Sequence, residues 1–305
     1  MHILRNPMSH YFLFIGLYFS LTFAVPVKKL AINSYYLTAH PNHFLVLAFI
    51  LPVIGIWFAA FYGYSKLVAY ADSIRTTVEG KDYARLAAGC GWLAYALPVP
   101  ALASLVLNSI ASSRPSLHPM AVIVGNFVNL LLPLIAFCLL CNGAMGLTTH
   151  ADIKLDIKRA RMLIITFVSL GIIYSYFIFK RFHVVSIGSA DNTFFLPAWL
   201  MIVSVLVPYL FSWFVGLLAA YEIILFAQHS TGVLYRRALT YLGSGVGVVI
   251  VSSIALQYIS SLVPRTGTLS LNYSLISIYV IQIFAAAGYA LIALGATRLK
   301  RIEDI

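Results

Sequence analysis

Apolar runs of about 20 residues, the length that crosses a bilayer core as a helix, recur along this 305-residue chain with only short polar breaks between them. A helix satisfies its own backbone hydrogen bonds, which lipid demands of any spanning segment. The composition agrees: 61% of residues are hydrophobic, 10% are charged, and the mean hydropathy is +0.93. Soluble domains are about one-quarter charged. The chain is therefore expected to be an all-α, polytopic membrane protein. The runs predict eight transmembrane helices over 10–27, 44–66, 86–111, 119–147, 162–180, 196–222, 241–263 and 274–297. The second and sixth are apolar enough to continue as helices past the bilayer.

The net charge of +11 does not point to nucleic acid, because the basic residues lie in short loops between the runs. Such loops orient membrane proteins, with Lys and Arg retained in the cytoplasm. A cytoplasmic N-terminus puts Arg5, Lys66, Arg75, Lys81, Arg85, Lys154, Lys158, Arg159, Arg161, Arg236, Arg237, Arg298, Lys300 and Arg301 inside. Lys28, Lys29, Arg114, Lys180, Arg181 and Arg265 then lie outside. The imbalance predicts that both termini are cytoplasmic and that the inner face attracts anionic lipid headgroups. Compact loops without large soluble domains fit a prokaryotic inner membrane. The first run also has features of a signal peptide, with a basic start and with Thr22 and Ala24 at cleavage spacing. The internal repeat needs this run as a helix, so it is expected to stay as a span.

The repeat emerges when the chain is shifted on itself. A shift of 156 places Pro41, Pro52, Trp57, Phe58 and Ala71 on Pro197, Pro208, Trp213, Phe214 and Ala227. A shift of 152 places Gly80, Tyr83, Arg85 and Gly91 of "GKDYARLAAGCG" on Gly232, Tyr235, Arg237 and Gly243 of "GVLYRRALTYLG". It also aligns Lys28-Lys29 with Lys180-Arg181 and Asp152-Ile153 with Asp304-Ile305. The pattern predicts a tandem duplication of a four-helix unit, residues 1–153 and 154–305, with a four-residue indel in two loops. An even number of spans per unit makes the repeat parallel, with a pseudo-two-fold axis along the membrane normal. The small-residue segments "GSGVG" (243–247) and "AAAG" (285–288) are expected at close helix contacts.

Several residues are candidates for function. Lys66 and Glu222 fall at equivalent positions, and an ionisable group within a span is costly to bury. They could pair as a latch or gate between the halves; the plainer reading has Lys66 snorkelling and Glu222 wetted at interface depth. Trp57 and Trp213 follow Pro52 and Pro208 by five residues, and would line a cavity if those prolines kink helices that face each other. Ordinary apolar packing is the alternative. Asn126 and Asn129 share a helix face and would either contact a polar ligand or bond another helix. Gly80, Tyr83, Arg85, Gly232, Tyr235 and Arg237 read as a duplicated cytoplasmic elbow, with Tyr and Arg at headgroup depth. Asp72, Asp82, Asp152 and Asp156 read as solvated charges among basic residues.

Other patterns carry no chemistry. Cys90, Cys138 and Cys141 read as small buried hydrophobes, although Cys138 and Cys141 have Cys-x-x-Cys spacing. His40 and His43 in "HPNH" are three apart on a turn and could support a metal only with a third ligand from elsewhere, so a metal is not expected there. No metal site, cofactor site, nucleotide loop or catalytic constellation is found, so an enzyme is not expected. Two function classes remain. One is a transport or ligand pathway between pseudo-symmetric halves. The other is a membrane scaffold or anchor that docks a membrane or cytoplasmic protein through the repeated elbows.

Overall fold

The computed structural model describes residues 6–24, 43–113, 118–151, 184–187, 194–197, 207–262 and 268–299, with residues 153, 165 and 169. Among the described residues eight helices can be followed: α1 (Pro7–Ala24), α2 (His43–Ser73), α3 (Gly80–Tyr95), α4 (Pro98–Ser113), α5 (His118–His150), α6 (Val207–His229), α7 (Val233–Leu262) and α8 (Thr268–Arg298). A short antiparallel ladder joins β1 (Val184–Ile187) to β2 (Phe194–Pro197), with Val184 opposite Pro197.

Among the described residues, six helical stretches are long and apolar enough to cross a membrane: Pro52–Ser73, Gly80–Leu107, Val128–His150, Val207–His229, Val233–Ala255 and Val280–Arg298. The chain is a multi-pass helical membrane protein on that count. The helix expected over 162–180 lies outside the described residues except at 165 and 169, which are helical.

The boundaries differ from the sequence expectation in three places. The helix expected over 86–111 starts earlier, at Gly80, and is broken after Tyr95. Pro98 explains the break, since it lacks a backbone donor and disfavours helical conformation at Leu97 before it. The helix expected from 196 is a strand at Phe194–Pro197, and the described helix starts at Val207. By contrast, α2 and α6 do extend past 66 and 222, ending at Ser73 and His229.

Contacts between helices form a closed ring in the order α2, α3, α5, α6, α7, α8 and back to α2. Helices α3 and α7 stand opposite each other in it. Outside the ring, α4 packs on α5, and α1 packs on α2 and α4. Aromatic side chains fasten α1: Tyr11 meets Phe58 and Phe61, Phe14 meets Tyr95, and Tyr18 meets Trp57. His10 Nδ1 also contacts the Tyr95 hydroxyl. The first run is thus an integral part of the packed fold.

Where lipid surrounds the helices, close van der Waals contact must hold them together, and small residues permit it. Gly89 of α3 sits so near α5 that a Cβ there would lie 2.9 Å from the Ala136 carbonyl and the Leu140 nitrogen. Gly245 of α7 meets α8 in the same way, with the Gly288 carbonyl and the Ile292 nitrogen both at 2.7 Å. The two segments expected at close contacts therefore meet each other.

Candidate functional site

Helices α2, α6, α5 and α8 run toward one end of the ring, and α3 and α7 start from it. Two tight connections close this end, residues 74–79 between α2 and α3 and residues 230–232 between α6 and α7. Three of the buried polar side chains gather there. Five buried polar residues occur among the described ones: Asp82, Thr148, Ser212, Glu222 and Ser252. The first two, with Glu222, lie within about two turns of this end.

At the centre, the Tyr83 hydroxyl of α3 contacts the Tyr235 hydroxyl of α7 across the ring. Tyr83 is fully buried, and Tyr70 of α2 packs edge-on against it at 5.0 Å between ring centroids. Phe226 of α6 packs edge-on against Tyr235. The elbow residues are therefore more than headgroup anchors. Tyr83 and Tyr235 turn inward and bridge opposite helices, whereas Arg237 is exposed. Gly80 is buried at the start of α3, where a Cβ would collide with the Ile74 carbonyl. Gly232 sits in the open second elbow, and its carbonyl accepts from the Arg236 nitrogen at 2.7 Å.

Beside this bridge lies an ionic cluster. Asp82 is 2% exposed. Arg85 Nη1 donates to Asp82 Oδ1 at 2.7 Å, and His150 Nε2 lies 3.1 Å from Oδ2. Gly146 of α5 makes room for the carboxylate, which occupies the space a Cβ would take. The expectation that Asp82 is a solvated charge is therefore corrected. Its place on the ring face of α3, one residue from Tyr83, carries it under α5. The spacing of Asp82 and Arg85 was a legible cue; the packing of Gly146 over them was not.

This cluster makes a prediction. Arg85→Ala with His150→Ala should destabilise the fold by on the order of 2 kcal/mol, because it strands a buried carboxylate. Adding Asp82→Asn should restore part of the loss, since removing the stranded charge costs less than leaving it. Thermal unfolding in detergent reads both, and a triple variant less stable than the double would refute the account.

The latch considered between Lys66 and Glu222 is not formed, since neither described ion pair joins them. Lys66 is exposed, with Nζ 5.3 Å from the centroid of the Tyr62 ring. Glu222 is 1% exposed, so it is not wetted either, and Thr148 Oγ1 of α5 lies 2.8 Å from its Oε2. The reason is the ring order. Helices α2 and α6 are separated on each side by two other helices, and α6 meets α5 instead.

The aromatic candidates also turn elsewhere. Trp57 is buried beneath Tyr18 of α1 on the outside of α2. Trp213 Nε1 donates to Ser253 Oγ of α7 at 3.4 Å. Asn129 is exposed, and the side chain of Asn126 lies outside the described residues. Cys90 and Cys141 are buried and Cys138 is exposed. Cys141 Sγ points to Met145 Sδ at 3.7 Å, one turn along α5. Among the described residues no group of three or more His, Cys, Asp or Glu side chains is placed to hold a metal ion.

Compared with protein families, curated proteins and solved structures, the chain matches none.

Proposed function

We propose that the chain is a membrane passage protein built from two pseudo-symmetric four-helix halves, residues 1–153 and 154–305, with Tyr83 and Tyr235 as the closure at one end. Three observations support the duplication. The ring maps onto itself when α2, α3 and α5 are exchanged with α6, α7 and α8. Its glycine contacts map as well: Gly143 lies against Asp82 and Leu86, and Gly295 lies against Ala238 and Leu242. Gly91 lies against Tyr64, and Gly247 lies against Ala220.

These contacts favour a shift of 156 throughout α2–α3 and of 152 for α5. Gly91 then answers to Gly247 rather than to Gly243, and Gly89 answers to Gly245. The shared Gly-Tyr-Arg-Gly spacing of the elbows is one helical turn out of that register. No indel is needed at the elbow, because α7 starts a turn earlier than the matching point of α3. The change of shift falls instead between α3 and α5.

The hydroxyl contact between Tyr83 and Tyr235 carries the functional reading. A structural brace between opposite helices in lipid is well served by aliphatic packing. Two hydroxyls that meet each other can exchange that bond for water or a polar solute, so the contact is a reversible closure. Proteoliposomes holding the full chain test this through glycerol entry, followed by light scattering. Tyr235→Ala should admit glycerol several-fold faster than the wild type. Entry no faster than in protein-free vesicles, for both proteins, would overturn the reading.

We place the elbows and both termini in the cytoplasm on the bias of basic residues, in a membrane of the prokaryotic inner type. Val78 and Leu234 support a second reading. They are 71% and 64% exposed at the two elbows, beside Arg75, Lys81, Arg236 and Arg237. Apolar tips among basic residues suit an anionic headgroup layer. They also suit a membrane or cytoplasmic partner, the scaffold reading. A partner recovered at fixed stoichiometry in mild detergent, without solute entry, would favour the scaffold.

A further inference from the structure

Glu222 is, with Asp82, one of two buried carboxyls among the described residues, and its surroundings do not suit an anion. Neither described ion pair involves it; both belong to Asp82. Its Oε1 has no hydrogen-bond partner, and its Oε2 meets one hydroxyl. A carboxylate left so in a low-dielectric interior carries a desolvation penalty of several kcal/mol. The neutral acid avoids it.

The Thr148 hydroxyl makes the same point by counting hydrogens. Thr148 Oγ1 lies 2.8 Å from Glu222 Oε2, 3.1 Å from the Met145 carbonyl and 3.3 Å from the Ala144 carbonyl. A hydroxyl has one hydrogen to donate and two lone pairs to accept with. All three neighbours are satisfied together when the hydroxyl donates to its own helix and Glu222 donates its acid proton to Oγ1.

We propose that Glu222 is a membrane-embedded proton-binding site, held as the neutral acid by Thr148 across the α5–α6 contact. The surrounding groups leave it that role. From α5 the facing groups are Thr148 and the Cys141 thiol, which is within electrostatic range. His150, two residues beyond, is turned to Asp82. From α7, Arg236 and Arg237 are exposed. When the acid O–H bond breaks, its proton leaves to water at the elbow end, seven residues along α6 at His229. Thr148 then turns its single hydrogen to the carboxylate and releases the backbone carbonyl. The site at the corresponding contact of α8 with α2 has Lys66 in place of the acid, so only one of the two contacts between halves can bind a proton this way.

Two measurements on the full chain in lipid test the site. Dicyclohexylcarbodiimide, an apolar reagent for protonated carboxyls, should modify Glu222 in the wild type, as mapped on the cleaved peptide. The yield should fall by about tenfold per pH unit once the group titrates. No modification of Glu222 at any pH would overturn the proposal. Infrared difference spectra of wild type against Glu222→Gln should contain one acid carbonyl band that the variant lacks. A difference made only of carboxylate bands would overturn it equally.

Discussion

Gly245→Val should unfold the α7–α8 side of the ring, while Gly247→Ala, two residues along the same helix, should leave it intact. The contrast follows from what each side chain would meet. At Gly245 the obstacles are the Gly288 carbonyl and the Ile292 nitrogen, both 2.7 Å from the new Cβ. Backbone atoms inside a helix cannot swing aside, so the helices must separate. Separation gives up the contacts that hold α7 to α8, including those of Leu242 with Gly295. Overpacking a well-filled core costs about 1–3 kcal/mol even where side chains can yield, and here they cannot. At Gly247 the nearest atom is the Ala220 Cβ at 3.8 Å, an ordinary contact distance. Alanine there also removes the helix penalty of glycine, about 1 kcal/mol. Thermal unfolding and gel filtration in mild detergent would read both variants. Equal behaviour of the two would mean that α7 and α8 are not in the described register.

The membrane class, the helices that form the ring and the close-packing glycines were legible in the sequence, because lipid imposes length, apolarity and small residues on any spanning helix. Glu222 was legible as well, as a lone acid in an apolar run. Its partner was not. Thr148 has the chemistry of any helix-end threonine, and only the order of helices around the ring brings it to α6. The same order explains why Lys66 and Glu222 stay apart although the proposed repeat makes them equivalent. Equivalent residues meet only if they lie close to the pseudo-axis, and the register of a repeat does not state a distance from it. Trp57 was open to two readings for a related reason. An aromatic beside a proline is equally at home facing a cavity or another helix, and α1 supplies the second. Asp82 misled because its basic neighbours look the same in a loop and at the start of a buried helix.

Tyr83→Ala should destabilise the protein by about 3–5 kcal/mol, the range for removing a fully buried aromatic side chain from a core. Tyr83→Phe should cost only about 1 kcal/mol, the net worth of one hydrogen bond. The difference separates two roles of one residue. Tyr83 has no exposed surface, and its ring fills the space between Tyr70 and the hydroxyl of Tyr235. Alanine empties that space, and the surrounding helices, already in contact through glycine, have little room to collapse into it. Phenylalanine keeps the ring and removes only the oxygen. Tyr235 is half-buried, and its hydroxyl keeps its second hydrogen bond, to Tyr70. A passage closed by this pair adds a second requirement. Tyr83→Phe should remain folded and yet admit glycerol faster than the wild type, because the hydroxyl contact across the ring is gone. If Tyr83→Phe is as stable as expected and as impermeable as the wild type, the ring itself blocks the way and the hydroxyls only brace it. If Tyr83→Ala is also tolerated without loss, α3 and α7 do not face each other through this residue, and the closure must be sought elsewhere along the ring.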